Sequence, residues 1–188
     1  MEIKNVIKLA CLFLGKDDYE NLSSLGGTQT ETDAETKDLN FLLRCLNLTY
    51  QEIASDYIPL LATDTVETSS GKIVFSKLTK KLNEIKSVSE NGFRVKYMLY
   101  PDYIKTDAKT VDITYSYLPA ELTTLTSTLE TFSNKVSERV LAYGTAMEYC
   151  FISGLYDDAT MWEKRFKDAL EIKAAKKSEK KLPNRRWI

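Results

Sequence analysis

Apolar residues near the start of the chain fall three and four apart. Ile3, Val6, Ile7, Ala10, Cys11 and Leu14 share one face of a short helix that Gly15 ends. A polar stretch from Lys16 to Asp33 follows. It contains Gly26-Gly27-Thr28-Gln29-Thr30-Glu31-Thr32 and reads as a loop or linker. Leu39, Leu42, Leu43, Leu46, Tyr50, Ile53 and Tyr57 then restore the helical spacing down to Pro59, which predicts a helix of about 24 residues capped by Thr32 or Asp33.

From Leu60 to Pro119 the period changes to two. Ile73 and Phe75, then Phe93, Val95, Tyr97 and Leu99, then Val111, Ile113, Tyr115 and Tyr117 alternate with polar partners such as Arg94, Lys96, Asp112, Thr114 and Ser116. These are half-buried strands of a small antiparallel sheet with one face turned to solvent or to another subunit. Ser69-Ser70-Gly71, Glu90-Asn91-Gly92 and Thr106-Asp107-Ala108 supply the turns. Asn91-Gly92 is the strongest hairpin signal, and it predicts that Leu82 to Ser89 pairs with Phe93 to Tyr100.

Beyond Pro119 the helical period returns. Val136, Val140, Tyr143, Gly144, Met147 and Phe151 form one side of a helix closed by Gly154. A second helix starts near Asp157, with Ala159, Trp162, Phe166, Ala169, Leu170 and Ile172 as its stripe. Asp157 and Asp158 sit at the positive end of its dipole, and Lys173, Lys176 and Lys177 at the negative end. The two helices are expected to pack as an antiparallel hairpin. The Thr-rich stretch from Glu121 to Thr131 fits either a loop or a weak helix, and no repeat with a period of 20 to 50 residues is visible.

The expected fold class is therefore α+β, a helical bundle of about four helices with an inserted small antiparallel β-sheet and an extended C-terminal arm. The parts are N-terminal helices over 1–59 with a polar linker at 16–33, a strand-rich insert over 60–119, a helical hairpin over 120–175 and a basic arm over 176–188. A length of 188 residues with 43% apolar and 11% aromatic side chains supports a real core and excludes disorder throughout. No apolar run approaches the roughly 18 residues that cross a bilayer, and Lys8 breaks the stretch from Val6 to Leu14, which no small-residue cleavage site follows. A cytosol-like setting without membrane span or signal peptide is the expectation.

Cys11, Cys45 and Cys150 are odd in number and widely spaced, so they read as small buried hydrophobes rather than a disulfide or zinc framework. The chain has no histidine, which removes the commonest general base, the commonest metal ligand and every Ser-His or Cys-His nucleophile pair. Carboxylates are the catalytic material that remains in quantity: Asp17-Asp18, Asp157-Asp158 and the group Asp102, Asp107 and Asp112. Asp157-Asp158 suits a helix start, and the last group lacks the offsets of a calcium loop. No P-loop, dinucleotide fingerprint or nucleophile elbow occurs, because Gly71-Lys72 has no glycine at the required upstream offset. Asn21-Leu22-Ser23 and Asn47-Leu48-Thr49 match glycosylation sequons by chance in a chain without a secretory signal. The sequence does not read as an enzyme, and it asks for no cofactor or metal.

Charge is unevenly laid out. From Lys173 to Ile188 seven basic residues face the single acid Glu179, so this end carries +6 and the remainder −7. A plain solvated helix end is one reading of it. The finish Leu182-Pro183-Asn184-Arg185-Arg186-Trp187-Ile188 argues for another, because tryptophan and arginine are the residues most enriched as interface anchors. Lys177, Lys180, Lys181, Arg185, Arg186, Trp187 and Ile188 are accordingly the candidate partner-binding residues. Tyr97, Tyr100, Tyr103, Tyr115 and Tyr117, near Arg94, Lys96 and Lys105, also resemble a stacking platform for nucleic acid, although tyrosine is equally a favoured strand residue and Asp102, Asp107 and Asp112 interrupt the basic surface.

The order of parts resembles the head-tail adaptor (connector ring) proteins of tailed bacteriophages, in particular the tubular-tail adaptors of short-tailed phages. The resemblance rests on three stretches: Val111-Asp112-Ile113-Thr114-Tyr115-Ser116-Tyr117-Leu118-Pro119 closing the strand-rich part, Val140 to Cys150 with Gly154-Leu155-Tyr156-Asp157-Asp158-Ala159 and Trp162-Glu163-Lys164-Arg165-Phe166 as the late hairpin, and Leu182 to Trp187 as the basic, aromatic finish. It covers most of residues 35 to 188. It implies a virion structural protein at the head-tail junction, assembled in the host cytoplasm. Copies of such proteins, usually about twelve, form a homo-oligomeric ring below the portal protein. The ring extends the DNA channel and presents a platform for tail or next-ring proteins. The C-terminal arm would then be the portal anchor, and the acidic remainder would line a conduit in which DNA slides without sticking. The rival reading is a small nucleic-acid-binding or regulatory module that uses the basic tail, and below it an enzyme subunit lacking its catalytic partner.

Overall fold

The computed structural model describes residues 1–16, 33–68, 70–125, 128–130, 132 and 136–174. Helix α1 runs over Ile3–Phe13 and buries Ile3, Val6, Ile7, Ala10 and Cys11, the expected face. Gly15 takes up φ +65°, the left-handed value that releases the chain from the helix end. Helix α2, Asp33–Glu52, widens into a π-helical turn at Ile53–Tyr57, where the Ile58 N–H donates to the Ile53 carbonyl at 2.8 Å. Pro59 follows and stops the helix.

Among the described residues seven strands come next: β1 Leu60–Glu67, β2 Lys72–Val74, β3 Leu82–Glu90, β4 Phe93–Arg94, β5 Met98–Leu99, β6 Tyr103–Lys105 and β7 Thr110–Tyr117. They form two antiparallel sheets, one in the order β1-β7-β3-β4 and the other β2-β6-β5. β1 and β7 pair without interruption from Leu60↔Tyr117 to Glu67↔Thr110. β3 pairs along the other side of β7 with register shifts between Leu82 and Glu84 and between Ile85 and Ser87. Inward-facing Val111, Ile113, Tyr115 and Val88 meet Ile73 of β2 and Ile104 of β6, so the smaller sheet covers one face of the larger and gives the strand region its own core. The opposite face of β1 and β7 carries Thr63, Thr65, Thr114 and Asp112; Thr63 and Thr114 share a 3.1 Å hydroxyl contact, and Thr65 Oγ1 donates to Asp112 Oδ1 at 2.6 Å.

The expected helical bundle with one small inserted sheet is thus corrected. The fold is α+β with two antiparallel sheets, and the hairpin of helix α3, Glu138–Ile152, and helix α4, Tyr156–Ala174, follows them in the chain. Alternation shows which side of a strand is buried but not how many sheets share the burial. β2, β5 and β6 are also too short to register a period. The expected pairing of Leu82 to Ser89 with Phe93 to Tyr100 is corrected as well. The turn forms, with φ +51° at Asn91 and +83° at Gly92, yet only Ser89↔Arg94 and Glu90↔Phe93 pair before the chain leaves for β5 in the other sheet. On its other side β3 pairs with β7, which brings Ile85 and Val88 into the sheet core, while on the β4 side the Val95 N–H still donates to the Val88 carbonyl at 3.0 Å before the chain turns away.

In the helical part Val140, Leu141, Ala146, Met147 and Cys150 of α3 and Ala159, Trp162, Phe166 and Leu170 of α4 close over α1 and α2. Trp162 stacks on Phe13 and Tyr143 at ring-centroid distances of 5.1 and 5.7 Å. Gly144 allows the close approach of α2 and α4: a Cβ there would stand 2.2 Å from Thr49 Cγ2 and 2.9 Å from Phe166 Cε2. Between β7 and α3 the described residues form no helix; Leu122, Leu129 and Phe132 pack into the helical core, and Thr128 bridges to Glu2.

Candidate functional site

All seven candidate partner-binding residues, Lys177, Lys180, Lys181, Arg185, Arg186, Trp187 and Ile188, lie outside the described residues, as do Asp17 and Asp18. Helix α4 carries the described chain to Ala174, three positions before the first of them. Asp157 and Asp158 occupy the first turn of α4, where the helix dipole favours them. Asp112 is engaged with Thr65 across the sheet. Among the described residues no three His, Cys, Asp or Glu side chains are grouped to hold a metal ion, and no helix is long and apolar enough to cross a membrane.

Two carboxylates do form polar centres, and both organise structure. Asp64 on β1 accepts the Thr79 N–H at 2.7 Å, the Thr79 hydroxyl at 2.9 Å and the Tyr115 hydroxyl at 2.8 Å. Partial burial works to raise its pKa, but these hydrogen bonds outweigh burial and hold it below the ordinary carboxylate value. Glu130 joins the two cores: Lys80 Nζ lies 2.7 Å from Oε1, the Tyr117 hydroxyl donates to Oε2, and the Tyr50 hydroxyl of α2 donates to its backbone carbonyl at 2.8 Å. The Lys80 and Tyr117 contacts lower the pKa of Glu130, while burial and the facing carboxylate push Tyr117 up to about 12. Sequence reading missed both centres, because each depends on partners far away in the chain.

On α2 and α3, Glu52 and Glu148 are half-buried. Burial raises both, and for Glu52 the neighbouring charges of Glu148 and Asp56 raise it further. Burial pushes the Cys11 thiol up to about 11 and the Cys45 thiol up to about 12, and all three cysteines are free and buried. That is the environment of inert core thiols rather than nucleophiles.

The surface is more informative than the interior. On the sheet part Phe93 is 78% exposed, Met98 65% and Leu99 64%, with Tyr97 and Tyr100 beside them in the chain. Tyr100 stacks on Tyr103 at 4.5 Å, and Lys72 Nζ lies 5.0 Å above the Tyr103 ring. On the helical part the turn between α3 and α4 presents Phe151, Ile152, Leu155 and Tyr156, the last 67% exposed, with Met161 one turn further on. A groove of about 1010 Å³ is lined by Lys81–Ile85, by Tyr97, Leu99, Tyr100 and Pro101, and by Phe75 and Leu78. The alternating pattern had marked Phe93 and Leu99 as core; they are exposed because the strand they were assigned to is broken between two sheets. No protein-family model matches the sequence, and no curated protein matches it either.

Proposed function

We propose that this chain is a virion structural protein, a head-tail adaptor whose copies form a ring on the portal protein, extend the DNA channel and receive tail components. The observation that supports this reading most is the apolar surface left bare at the α3–α4 turn by Phe151, Ile152, Leu155 and Tyr156; Phe93, Met98 and Leu99 are also exposed, on strands of the two sheets. Isolated exposed apolar residues are ordinary, but grouped ones mark interaction sites. Exposed apolar residues on both the helical and the strand parts suit a component that touches neighbours through two different surfaces, which is what a closed ring requires. The carboxylates work as structural fasteners in this reading, and the basic arm over 176–188 docks on the portal.

The test is binding of the full chain to the portal protein of the same genome, measured beside a version lacking residues 176–188 and the variants Trp187→Ala and Arg185→Ala. A pocket-docked arm loses binding on truncation and depends on Trp187 as strongly as on Arg185. Loss confined to the arginine, with binding to duplex DNA that collapses between low and moderate salt, would replace the adaptor with a nucleic-acid module.

A further inference from the structure

The outward face of the smaller sheet is built of lysines and tyrosines. Ile73 of β2 and Ile104 of β6 turn into the core, so the residues that alternate with them, Lys72, Val74, Tyr103 and Lys105, stand on the other side. The register places Lys72, Lys105 and Met98 in one row across β2, β6 and β5. In the next row Tyr103 stacks on Tyr100, which follows β5, with ring centroids 4.5 Å apart and planes 12° from parallel, and Lys72 Nζ lies 5.0 Å from the centre of the Tyr103 ring. Of the other tyrosines that the sequence groups with this pair, Tyr115 is fully buried and Tyr117 is bound to Glu130.

Two features of the face call for an anion. Lys72 and Lys105 stand directly opposite each other across β2 and β6, an arrangement that costs stability unless a negative group lies between them. Lys105 also shares with Lys96 the walls of a hollow of about 670 Å³, together with Met98, Tyr97 and Asp107. Lys72, Lys96 and Lys105 make no ion pair among the described residues, and neither do Asp102 and Asp107, which lie just outside the two ends of β6.

The aromatic pair says which anion. β5 is the outer strand of its sheet, so Tyr100 has Tyr103 against one ring face and no further strand beyond it, and it borders the groove of about 1010 Å³. An unpaired base fits there as the next layer of the stack while the phosphates reach the lysines. A duplex keeps its bases stacked on one another and would leave the ring unused. A ribose 2′-hydroxyl would lie against Met98 and Val74, which offer it no strong hydrogen-bond partner. We infer that this face binds single-stranded DNA laid across β2, β6 and β5, with a base on Tyr100 and phosphates on Lys72, Lys96 and Lys105. The site is separate from the basic arm and goes beyond the ring reading without depending on it.

The full chain is irradiated with an oligodeoxynucleotide of about 12 nucleotides that carries one iododeoxyuridine, and the products are digested with trypsin. The expected cross-link lies in the peptide from Tyr97 to Lys105. By fluorescence anisotropy Tyr100→Ala should weaken binding about 5–100-fold, the worth of one stacked base, while Tyr100→Phe, which keeps the ring, should bind as the parent does. Lys105→Gln should lower the slope of log affinity against log salt by about 0.7. Duplex DNA and RNA of the same sequence should bind more weakly than the single strand. Cross-links confined to residues 175–188, an unchanged affinity in Tyr100→Ala, or duplex or RNA bound as tightly as single-stranded DNA would each overturn the assignment. Assembly on the portal protein is read separately by mass, so the ring and this face stand or fall independently.

Discussion

Replacing Gly144 by alanine sets two effects of known size against each other. In an exposed helix interior the change would add about 1 kcal/mol of stability through backbone propensity. Here the new methyl would stand 2.2 Å from Thr49 Cγ2, 3.0 Å from Thr49 Oγ1 and 2.9 Å from Phe166 Cε2. Thr49 is fully buried, and its hydroxyl donates to the Cys45 carbonyl at 3.1 Å, so turning it away breaks a buried hydrogen bond. Phe166 is equally buried. Overpacking of this kind costs about 1–3 kcal/mol, and a contact this short, with partners this confined, belongs at or above the upper end. The net is a loss of about 2 kcal/mol, which for a chain of this size lowers Tm by roughly 4–8 °C. Calorimetry and urea titration of Gly144→Ala, Thr49→Ser and the double variant provide the assay. Removing the Thr49 methyl should recover much of the loss, so the two changes should be clearly non-additive. A Gly144→Ala protein as stable as the parent, or a double variant that simply sums the two costs, would refute the picture of a helix crossing held tight at Gly144.

Other outcomes follow from the same contacts. Trp162→Ala removes a buried ring stacked on Phe13 and Tyr143 and should cost about 3–5 kcal/mol by chemical denaturation. Glu52→Gln should raise stability at neutral pH by about a few tenths of a kcal/mol, the scale of a like-charge pair one helical turn apart. Because the raised Glu52 takes up its proton early as the pH falls, that advantage should fade towards about pH 4, where the unfolded carboxylate is protonated too. Asp64 and Glu130 act in the opposite sense: their lowered values give stability that is present above the ordinary carboxylate range and lost as the pH drops through their folded values, so acid melts of Asp64→Asn should be flatter than those of the parent. Cys11, Cys45 and Cys150 should stay unreactive towards Ellman's reagent in the native protein and titrate together on unfolding, and fast labelling of Cys45 in the native state would contradict its burial.

Much of the helical part was legible because the periodicity is local. The α1 face from Ile3 to Cys11, the left-handed glycines at 15 and 154 and the stripe from Ala159 to Leu170 need only spacing and end signals to be read. The strand region gave up its burial pattern and its Asn91-Gly92 turn but not its connectivity. β7 takes both long strands as partners, and its inward face packs on Ile73 and Ile104 of the other sheet, contacts that no local signal encodes. Glu130 could not be recognised as a junction from a Thr-rich stretch, since its meaning lies in Tyr50, Lys80 and Tyr117. For the exposed apolar residues the sequence supplied their identity, while their exposure follows from a strand order that local spacing does not encode.

If copies assemble on the portal protein as proposed, the mass of the particles shows it. Light scattering of the full chain, alone across a range of concentrations and then with the portal protein, should give a discrete closed multiple of the 21.5 kDa subunit on the portal, lost when residues 176–188 are removed. A chain that remains at the mass of one subunit in both settings, or that grows without limit, would contradict it.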